Sequence, residues 1–277
     1  MRTADVKSLL GGARDALYRD RDLIARTREL QGAVALEPGG PSSLFGRYGA
    51  IPVYPRLGAL DTLDYRERTL WSADSKPPEA LRRMLIGEAR HMGDIPADSY
   101  DAVLASHVLE HIADPLGALA EWQRVVRPGG HILLVVPHRE GTFDRRREVT
   151  TVEHLRSDAE RETGEEDLTH LEEILELHDM DRDPGAESRE LFEGRCRENA
   201  STRAMHHHVF DSRSVVEMCK AAGLGVLAIR PRRPFHIVCL CRVGDGDTSH
   251  GDTPQLGENE LANALARSPF KSDRDAA

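Results

Sequence analysis

Lysine is nearly missing from this chain of 277 residues: of 37 basic side chains only Lys7, Lys76, Lys220 and Lys271 are lysine, and the arginines that make up the rest are scattered among acids. Acidic residues outnumber basic ones by 47 to 37, so no broad basic surface is available to track a phosphate backbone, and nucleic acid is not an expected partner. Aromatic residues are only 5% of the chain, and the longest apolar run, Ile132 to Pro137, falls far short of the ~20 residues that span a bilayer, so no membrane segment is expected. Cys196, Cys219, Cys239 and Cys241 form no CxxC pair and no zinc-finger spacing, and Met1 to Lys7 lacks the apolar stretch of a secretory signal. These absences point to a cytoplasmic, reduced protein. Cys239 and Cys241 alternate with apolar residues and read as small buried hydrophobes.

What is present is a globular composition, 39% hydrophobic and 30% charged, long enough for one large domain with an insertion. Residues 1–30 have a loose helical spacing interrupted by Gly11 and Gly12, and read as an N-terminal helical segment. Ala33 to Leu36 is a short apolar run ending in Glu37-Pro-Gly-Gly-Pro41, the pattern of a buried strand entering a turn. A second strand is expected to end at Leu60-Asp61 and a third to cover Tyr100 to Ser106. A helix over Pro115 to Val126 stops at Pro128-Gly-Gly130. His131 to Pro137 is apolar on both faces, as a central parallel strand is. Strands alternating with helices give an α/β fold with a mostly parallel sheet.

From 138 to 210 the pattern changes to charged helices and polar turns, read as an insertion after the fifth strand. A helix from Ser212 and two closing strands, Val226 to Ile229 and His236 to Leu240, form an antiparallel hairpin at the sheet edge, so that the domain spans 31–243. Residues 244–277, rich in Gly, Asp, Ser and Asn, read as a mostly disordered tail.

In open α/β sheets ligands bind beyond the carboxyl ends of the strands. Glu37-Pro-Gly-Gly follows the first strand, and Asp61, 24 residues beyond Glu37, is placed where an acid meets ribose hydroxyls in dinucleotide-type sites. The segment Tyr100-Asp-Ala-Val-Leu-Ala-Ser-His-Val-Leu-Glu-His-Ile112, then Asp114-Pro115, Trp122-Gln-Arg-Val-Val-Arg-Pro-Gly-Gly130 and Leu133 to Pro137, resembles the middle of class I S-adenosylmethionine-dependent methyltransferases of the methyltransferase type 11 kind. The stretch Leu36 to Phe45 is similar to the cofactor loop of a branch found among bacterial polysaccharide and natural-product enzymes, with Pro41 where the family's third small residue usually stands. The resemblance implies a Rossmann-like sheet and S-adenosyl-L-methionine as cofactor. Carried over position by position, it implies Glu37, Gly39 and Gly40 around the methionine part, Asp61 on the ribose, Glu88 or Asp94 near the adenine, and Ser106 and His107 lining the site after the fourth strand.

Methyl transfer from a sulfonium asks for little beyond alignment, but a hydroxyl acceptor must lose a proton. The insertion is where that chemistry is expected. On a helix over Asp167 to His178 the apolar stripe includes His178, with His170 at its margin, while His138 and Asp144 follow the fifth strand directly. His206-His-His208 is the densest cluster; if extended, His206 and His208 project to one side and His207 to the other. It reads as a hydrogen-bonding ladder, as acceptor recognition with base catalysis, or as two ligands of a divalent metal completed by Asp144, Asp179 or Asp211. No ligand spacing is diagnostic, and no metal is assigned.

The reading is therefore a methyltransferase acting on a small-molecule acceptor, preferably O-methylating a sugar or hydroxylated intermediate, with His138, Asp144, His170, His206, His207 and His208 as candidate catalytic residues. The alternatives are cyclisation or elimination on the same cofactor, and a catalytically silent partner subunit.

Overall fold

In the computed structural model, which describes residues 25–69, 77–183, 185–244 and 255–277, seven strands form one sheet. They are β1 (Val34–Pro38), β2 (Ala59–Asp64), β3 (Leu81–Ile86), β4 (Tyr100–Ser106), β5 (Val126–Pro137), β6 (Gly225–Arg232) and β7 (His236–Arg242). Their order is β3-β2-β1-β4-β5-β7-β6. The first five run parallel, and β7 is antiparallel to both β5 and β6. The expected mostly parallel sheet with a closing hairpin is what forms.

Burial of both faces explains the apolar runs. In β4 Val103 and Ala105 pack on one face with Leu119, Trp122 and Val215, whereas Ala102 and Leu104 pack on the other with Phe45, Ile51 and Val53. The first face is covered by α1 (Pro115–Val125), whose start is set by Asp114: its Oδ1 accepts the Gly117 N–H at 2.8 Å, and Pro115 at the first helical position has no N–H to lose. The expected turn at Pro128-Gly-Gly130 lies inside β5 as an irregularity, the register stepping from Tyr100↔Val126 to Ala102↔His131 with Gly129 at φ +72°. β3 was not expected from the pattern. It is an edge strand whose Met84 and Ile86 are exposed, so no buried periodicity marks it.

The insertion contributes α2 (Val152–Glu160), α3 (Leu171–Leu177), α4 (Arg189–Arg197) and α5 (Asn199–Thr202), and returns through an extended segment to α6 (Ser212–Ala221). Its apolar residues form a small cluster of their own around Ile174, Phe192 and Met205. The expected helix over Asp167 to His178 is limited to Leu171–Leu177, with His170 and His178 flanking it. Tyr65 Oη donates toward the Ser201 and Thr202 carbonyls, each at 3.3 Å, and Arg203 pairs with Glu88 at 2.7 Å, so the insertion reaches across the carboxyl ends of β2 and β3.

The N-terminal helical segment expected over 1–30 lies almost entirely outside the described residues; Thr27–Leu30 forms a single 3-10 turn. The tail expected to be disordered is instead ordered over 255–277, as α7 (Glu258–Ala266) and α8 (Lys271–Asp275). Leu261 and Leu265 join the main core, and Asp273 is buried, accepting from Ser212 Oγ at 2.7 Å, Ser268 Oγ at 2.6 Å and His138 Nε2 at 3.1 Å. Composition missed this because four apolar side chains and one buried acid suffice to anchor two short helices.

The Asp273 carboxyl is held below the ordinary carboxylate range: burial opposes ionisation, but the bonds from His138, Ser268 and Ser212 outweigh it. Its contribution is therefore full above the unfolded value of about 4 and is lost as pH falls toward the folded value. Asp273→Ala should lower the unfolding free energy at pH 7 by about 2–4 kcal/mol, measured by urea denaturation, and the deficit should shrink below pH 4. Lys271→Ala, at an exposed side chain, should change it by less than about 0.5 kcal/mol. Equal effects of the two would mean the tail is not anchored through Asp273.

Candidate functional site

Strand order reverses between β1 and β4: the chain proceeds from β1 outward to β2 and β3, then returns to β4 on the other side. The loops that leave these two strands diverge and open a crevice at their carboxyl ends. The loop after β1 holds Gly39 at φ +69°, where a Cβ would sit 2.5 Å from Val108 Cγ2, and Gly40, where a Cβ would sit 2.4 Å from the Glu37 carboxyl carbon. Glycine is required at Gly39 on both counts. Ser42 Oγ meets Ser106 Oγ at 3.1 Å, joining the loop after β1 to the end of β4. Expected cofactor residues Gly39, Gly40, Ser106 and His107 are thus brought together.

Glu37 differs from its expectation. It is fully buried beneath the loop, accepting from Tyr54 Oη at 2.6 Å and from Ser42 N at 2.9 Å, so it organises the turn rather than facing a ligand directly. Burial pushes its carboxyl up to about 8 against the lowering effect of those bonds.

Asp61 is a clearer correction. β2 does not end there but runs on to Asp64, paired with β1 through Leu63↔Pro38. Asp61 is therefore mid-strand and fully buried, accepting from Arg82, from Arg83 and from Tyr100 Oη at 2.8 Å. The acid at the carboxyl end is Asp64, half-buried, with its Oδ1 accepting the Tyr65 N–H at 2.8 Å. Burial raises its pKa, and neighbouring Glu88 adds to the rise. Glu88 does stand just past β3 on this edge. Asp94 lines a cavity of about 290 Å³ that runs from Ile86 and Gly87 at the carboxyl end of β3 to Arg82, Arg83 and Tyr100.

A network of imidazoles and carboxylates follows β4. His107, at φ +56°, is held in the left-handed region by its N–H bond to the Val135 carbonyl at 2.7 Å, a strain of order 1 kcal/mol for a non-glycine residue. Its Nδ1 lies 3.3 Å from Glu110 Oε1 and its Nε2 2.9 Å from His236 Nδ1. Glu110 is buried with Oε2 lacking a hydrogen-bond partner. One ligand-type atom from each of Glu110, His111 and His206 lies within 4.8 Å of the others, and the His111 and His206 rings meet edge to face at 4.6 Å. His206 Nδ1 donates to Asp144 Oδ2 at 2.6 Å, while Asp144 Oδ1 accepts from the buried Arg147 at 3.1 Å. Burial pushes His111 down to about 4, so it is neutral at pH 7. Burial opposes ionisation of Glu110 as well, but the bond from His107 and the adjacent imidazoles hold it below its ordinary value.

Of the other expected catalytic residues, His138 is corrected. Its Nε2 donates to Asp273 and its Nδ1 accepts the Glu140 N–H at 3.2 Å, the ring is stacked on Phe270 at 3.9 Å, and it has no exposed surface. Both nitrogens are spent in pinning the C-terminal helices. His207 Nε2 lies 3.0 Å from Asn199 Nδ2, and its ring stands 6.2 Å from that of His208 and 6.5 Å from that of His170, so His207 and His208 do not separate to opposite sides as expected; His206 meets His111. His170 and His208 gather with His154 and Asp158 away from Asp144. The metal sets considered with Asp179 or Asp211 do not form: Asp179 pairs with Arg145, and Asp211 caps α6 through Ser214 N at 2.8 Å. Asp64, Glu110, His111, Arg147, Asp158 and His236 entered no expected site. Only the true end of β2 would have pointed to Asp64, and Arg147 is hidden among many scattered arginines.

Asp61→Asn tests the correction. The Asp61 carboxyl stays well below the usual carboxylate range: burial opposes ionisation, and the bonds from Arg82, Arg83 and Tyr100 override it. It thus stabilises the fold above about pH 4 and loses that contribution on acidification. The substitution should cost about 2–3 kcal/mol at pH 7 in chemical denaturation and less at pH 3, and the folded variant should bind nucleoside ligands as the parent does. Unchanged stability with weakened binding would restore Asp61 to the crevice.

No curated protein matches the chain in sequence. Among solved structures it is similar to a SAM-dependent methyltransferase from Aquifex aeolicus, with 13% identity and a TM-score of 0.47 over 88% of this chain and 99% of that one. It is also similar to 1,6-didemethyltoxoflavin-N1-methyltransferase from Burkholderia thailandensis, solved with 1,6-didemethyltoxoflavin and S-adenosylhomocysteine, with 13% identity and a TM-score of 0.45 over 87% of each chain. An S-adenosylmethionine-dependent methyltransferase from Mesorhizobium loti aligns at 13% identity and a TM-score of 0.47, over 80% of this chain and 95% of that one. Residues 50–134, from ahead of β2 into β5, match the sequence profile of the family described as methyltransferase domain, type 11. This match lies within a seven-stranded, mostly parallel sheet whose strand order reverses between β1 and β4 and which an antiparallel hairpin closes, so the chain carries over residues 50–134 a segment that matches a methyltransferase domain.

Proposed function

We propose that the protein moves the methyl group of S-adenosyl-L-methionine to a hydroxyl of a small polar acceptor, a sugar or a hydroxylated natural-product intermediate. The observation that carries this reading is the chain of imidazoles and carboxylates, Asp144–His206–Glu110–His107–His236, beside the crevice at the strand-order reversal. The residues there fit the cofactor. Gly39 and Gly40 offer a bare backbone to the methionine part, Ser106 stands opposite them, Asp64 is placed for the ribose hydroxyls and Glu88 lies on the adenine side. When bound, the cofactor supplies a methyl group on a sulfonium that needs no further activation.

The chain's own work is then alignment and proton removal. Holding acceptor and methyl group in line accounts for as much as ~7–11 kcal/mol of the barrier. His107, whose side chain is 26% exposed, takes the acceptor's proton at Nε2, the acceptor hydroxyl taking the place of His236 Nδ1 there, and Glu110 at Nδ1 positions its ring and stabilises the imidazolium. Asp144, anchored by Arg147, positions His206 in the same way. The polar insertion favours a hydroxylated acceptor over an apolar one, because its buried donors and acceptors would be left unpaired by an apolar ligand.

Titration with S-adenosylhomocysteine and a screen of hydroxylated acceptors with methyl-labelled cofactor test the reading. Binding should be micromolar, and turnover should leave S-adenosylhomocysteine; methylthioadenosine instead would mean cyclisation or elimination, and no binding would mean a silent partner subunit. His107→Gln should lower turnover about 100-fold or more while S-adenosylhomocysteine affinity stays within about threefold.

Glu37 provides a second check. With its carboxyl near 8 it is protonated at pH 7, and a cationic methionine part above the loop favours the ionised form. Cofactor binding should release close to one proton at pH 7 and strengthen as pH rises, levelling off above about 8. Calorimetry in two buffers of different ionisation enthalpy measures this, and Glu37→Gln should abolish it.

A further inference from the structure

The polar groups of the insertion fall into two sets, and the set containing half-buried His154 and His170 and buried Asp158 and His208 plays no part in the proposed transfer. Its members come from three segments. His154 and Asp158 are one turn apart on α2 and share a face, His170 stands at the start of α3, and His208 lies in the extended return. His154 Nε2 is 3.1 Å from Asp158 Oδ2 and 3.1 Å from His170 Nε2, and His208 Nε2 is 3.9 Å from Asp158 Oδ2. One ligand-type atom from each of His154, Asp158 and His208 lies within 4.8 Å of the other two.

Two atoms in this set make no hydrogen bond, Asp158 Oδ2 meeting only the His154 and His208 nitrogens at 3.1 and 3.9 Å. Asp158 Oδ2 and His208 Nδ1 are buried without a hydrogen-bond partner, on side chains only 3% and 1% exposed. Each such atom costs about 1–3 kcal/mol if nothing meets it. Their opposite ends are secured: Asp158 Oδ1 accepts from Arg161 at 2.7 Å, and His208 Nε2 donates to the Ala113 carbonyl at 3.1 Å. The other nitrogen of His170 likewise lies 3.6 Å from Glu173 Oε2. An imidazole held at one nitrogen by a carboxylate with the other nitrogen turned to the cluster, as His170 is, is arranged as a metal ligand is.

We infer that His154, Asp158, His170 and His208 bind one divalent transition-metal ion of the zinc type. Four ligand atoms around a tetrahedral ion at bond lengths of ~2.0–2.1 Å stand about 3.3 Å apart; the 3.1 Å separations of His154 Nε2 from Asp158 Oδ2 and from His170 Nε2 lie close to that figure, and His208 Nε2, 3.9 Å from Asp158 Oδ2, joins them by exchanging its bond to the Ala113 carbonyl for the ion. Three nitrogens and one oxygen suit zinc, cobalt or nickel, not calcium or magnesium, which take oxygen ligands. Four protein ligands leave no open position, so the ion clamps α2, the start of α3 and the return segment together beside His206.

The test uses the full-length protein, stripped with a chelator and titrated with Zn²⁺ or Co²⁺. It should take up one ion per chain, and saturating Zn²⁺ should raise the melting midpoint by roughly 5–10 °C. Bound Co²⁺ should show the intense visible absorption of a four-coordinate site without the thiolate charge-transfer band that binding at the buried Cys219, Cys239 and Cys241 cluster would give. Asp158→Asn and His154→Gln should each weaken Zn²⁺ binding at least tenfold, whereas Glu110→Gln, in the other histidine cluster, should leave it within twofold. The Co²⁺ spectrum of the parent protein decides the ligand type even where a variant fails to fold. No uptake by the parent, a thiolate band, or loss of uptake in Glu110→Gln with retention in Asp158→Asn would overturn the assignment.

Discussion

Between β1 and β4 the chain changes direction across the sheet, and the loops leaving these neighbouring parallel strands turn apart. Everything else at the site is arranged around the gap this creates. The glycine turn after β1 lies on one side, Ser106 and strained His107 on the other, and Ser42 bonded to Ser106 spans the two. A sheet buried on both faces makes the gap rigid, because neither β1 nor β4 can shift without opening packed cores on both sides.

The insertion uses a different kind of stability. It has only a small apolar cluster of its own, and much of its interior is histidine, aspartate and a buried arginine. Such an interior is tolerable only where the polar groups meet partners. Arg147 shows how: its guanidinium binds Asp144 and donates to the His206 carbonyl at 2.8 Å, so one side chain ties the loop after β5 to the return segment. The tail acts in the same manner through Asp273, holding His138 at the end of β5 and Ser212 at the start of α6. Polar anchoring of this type is directional, so it specifies the positions of the ring nitrogens that the proposed chemistry needs.

Legibility in the sequence followed burial. β1, β4 and β5 were readable because both faces are apolar, and α1 was readable from Asp114-Pro115 and its helical spacing. β3 was unreadable because it is an edge strand with four of its six residues exposed. Asp61 was misplaced for a related reason: an acid inside a strand reads as the strand's end, and nothing local reveals that Arg82, Arg83 and Tyr100 neutralise it. His138 was placed correctly at the end of β5, but its use depends on a residue 135 positions away.

The sequence by itself determined the alternation of the buried strands with helices, the glycine turn, the segment from Tyr100 to Pro137 and the concentration of histidine in the insertion, because these follow from periodicity, turn chemistry and composition, which are local. Only the tertiary structure decided which acid stands at the edge of β2, which imidazole meets which carboxylate, and that the last 23 residues carry two helices anchored on a buried aspartate. Those outcomes rest on hydrogen bonds between groups far apart in the chain, and their partners are chosen by the sheet's topology, not by spacing along the sequence.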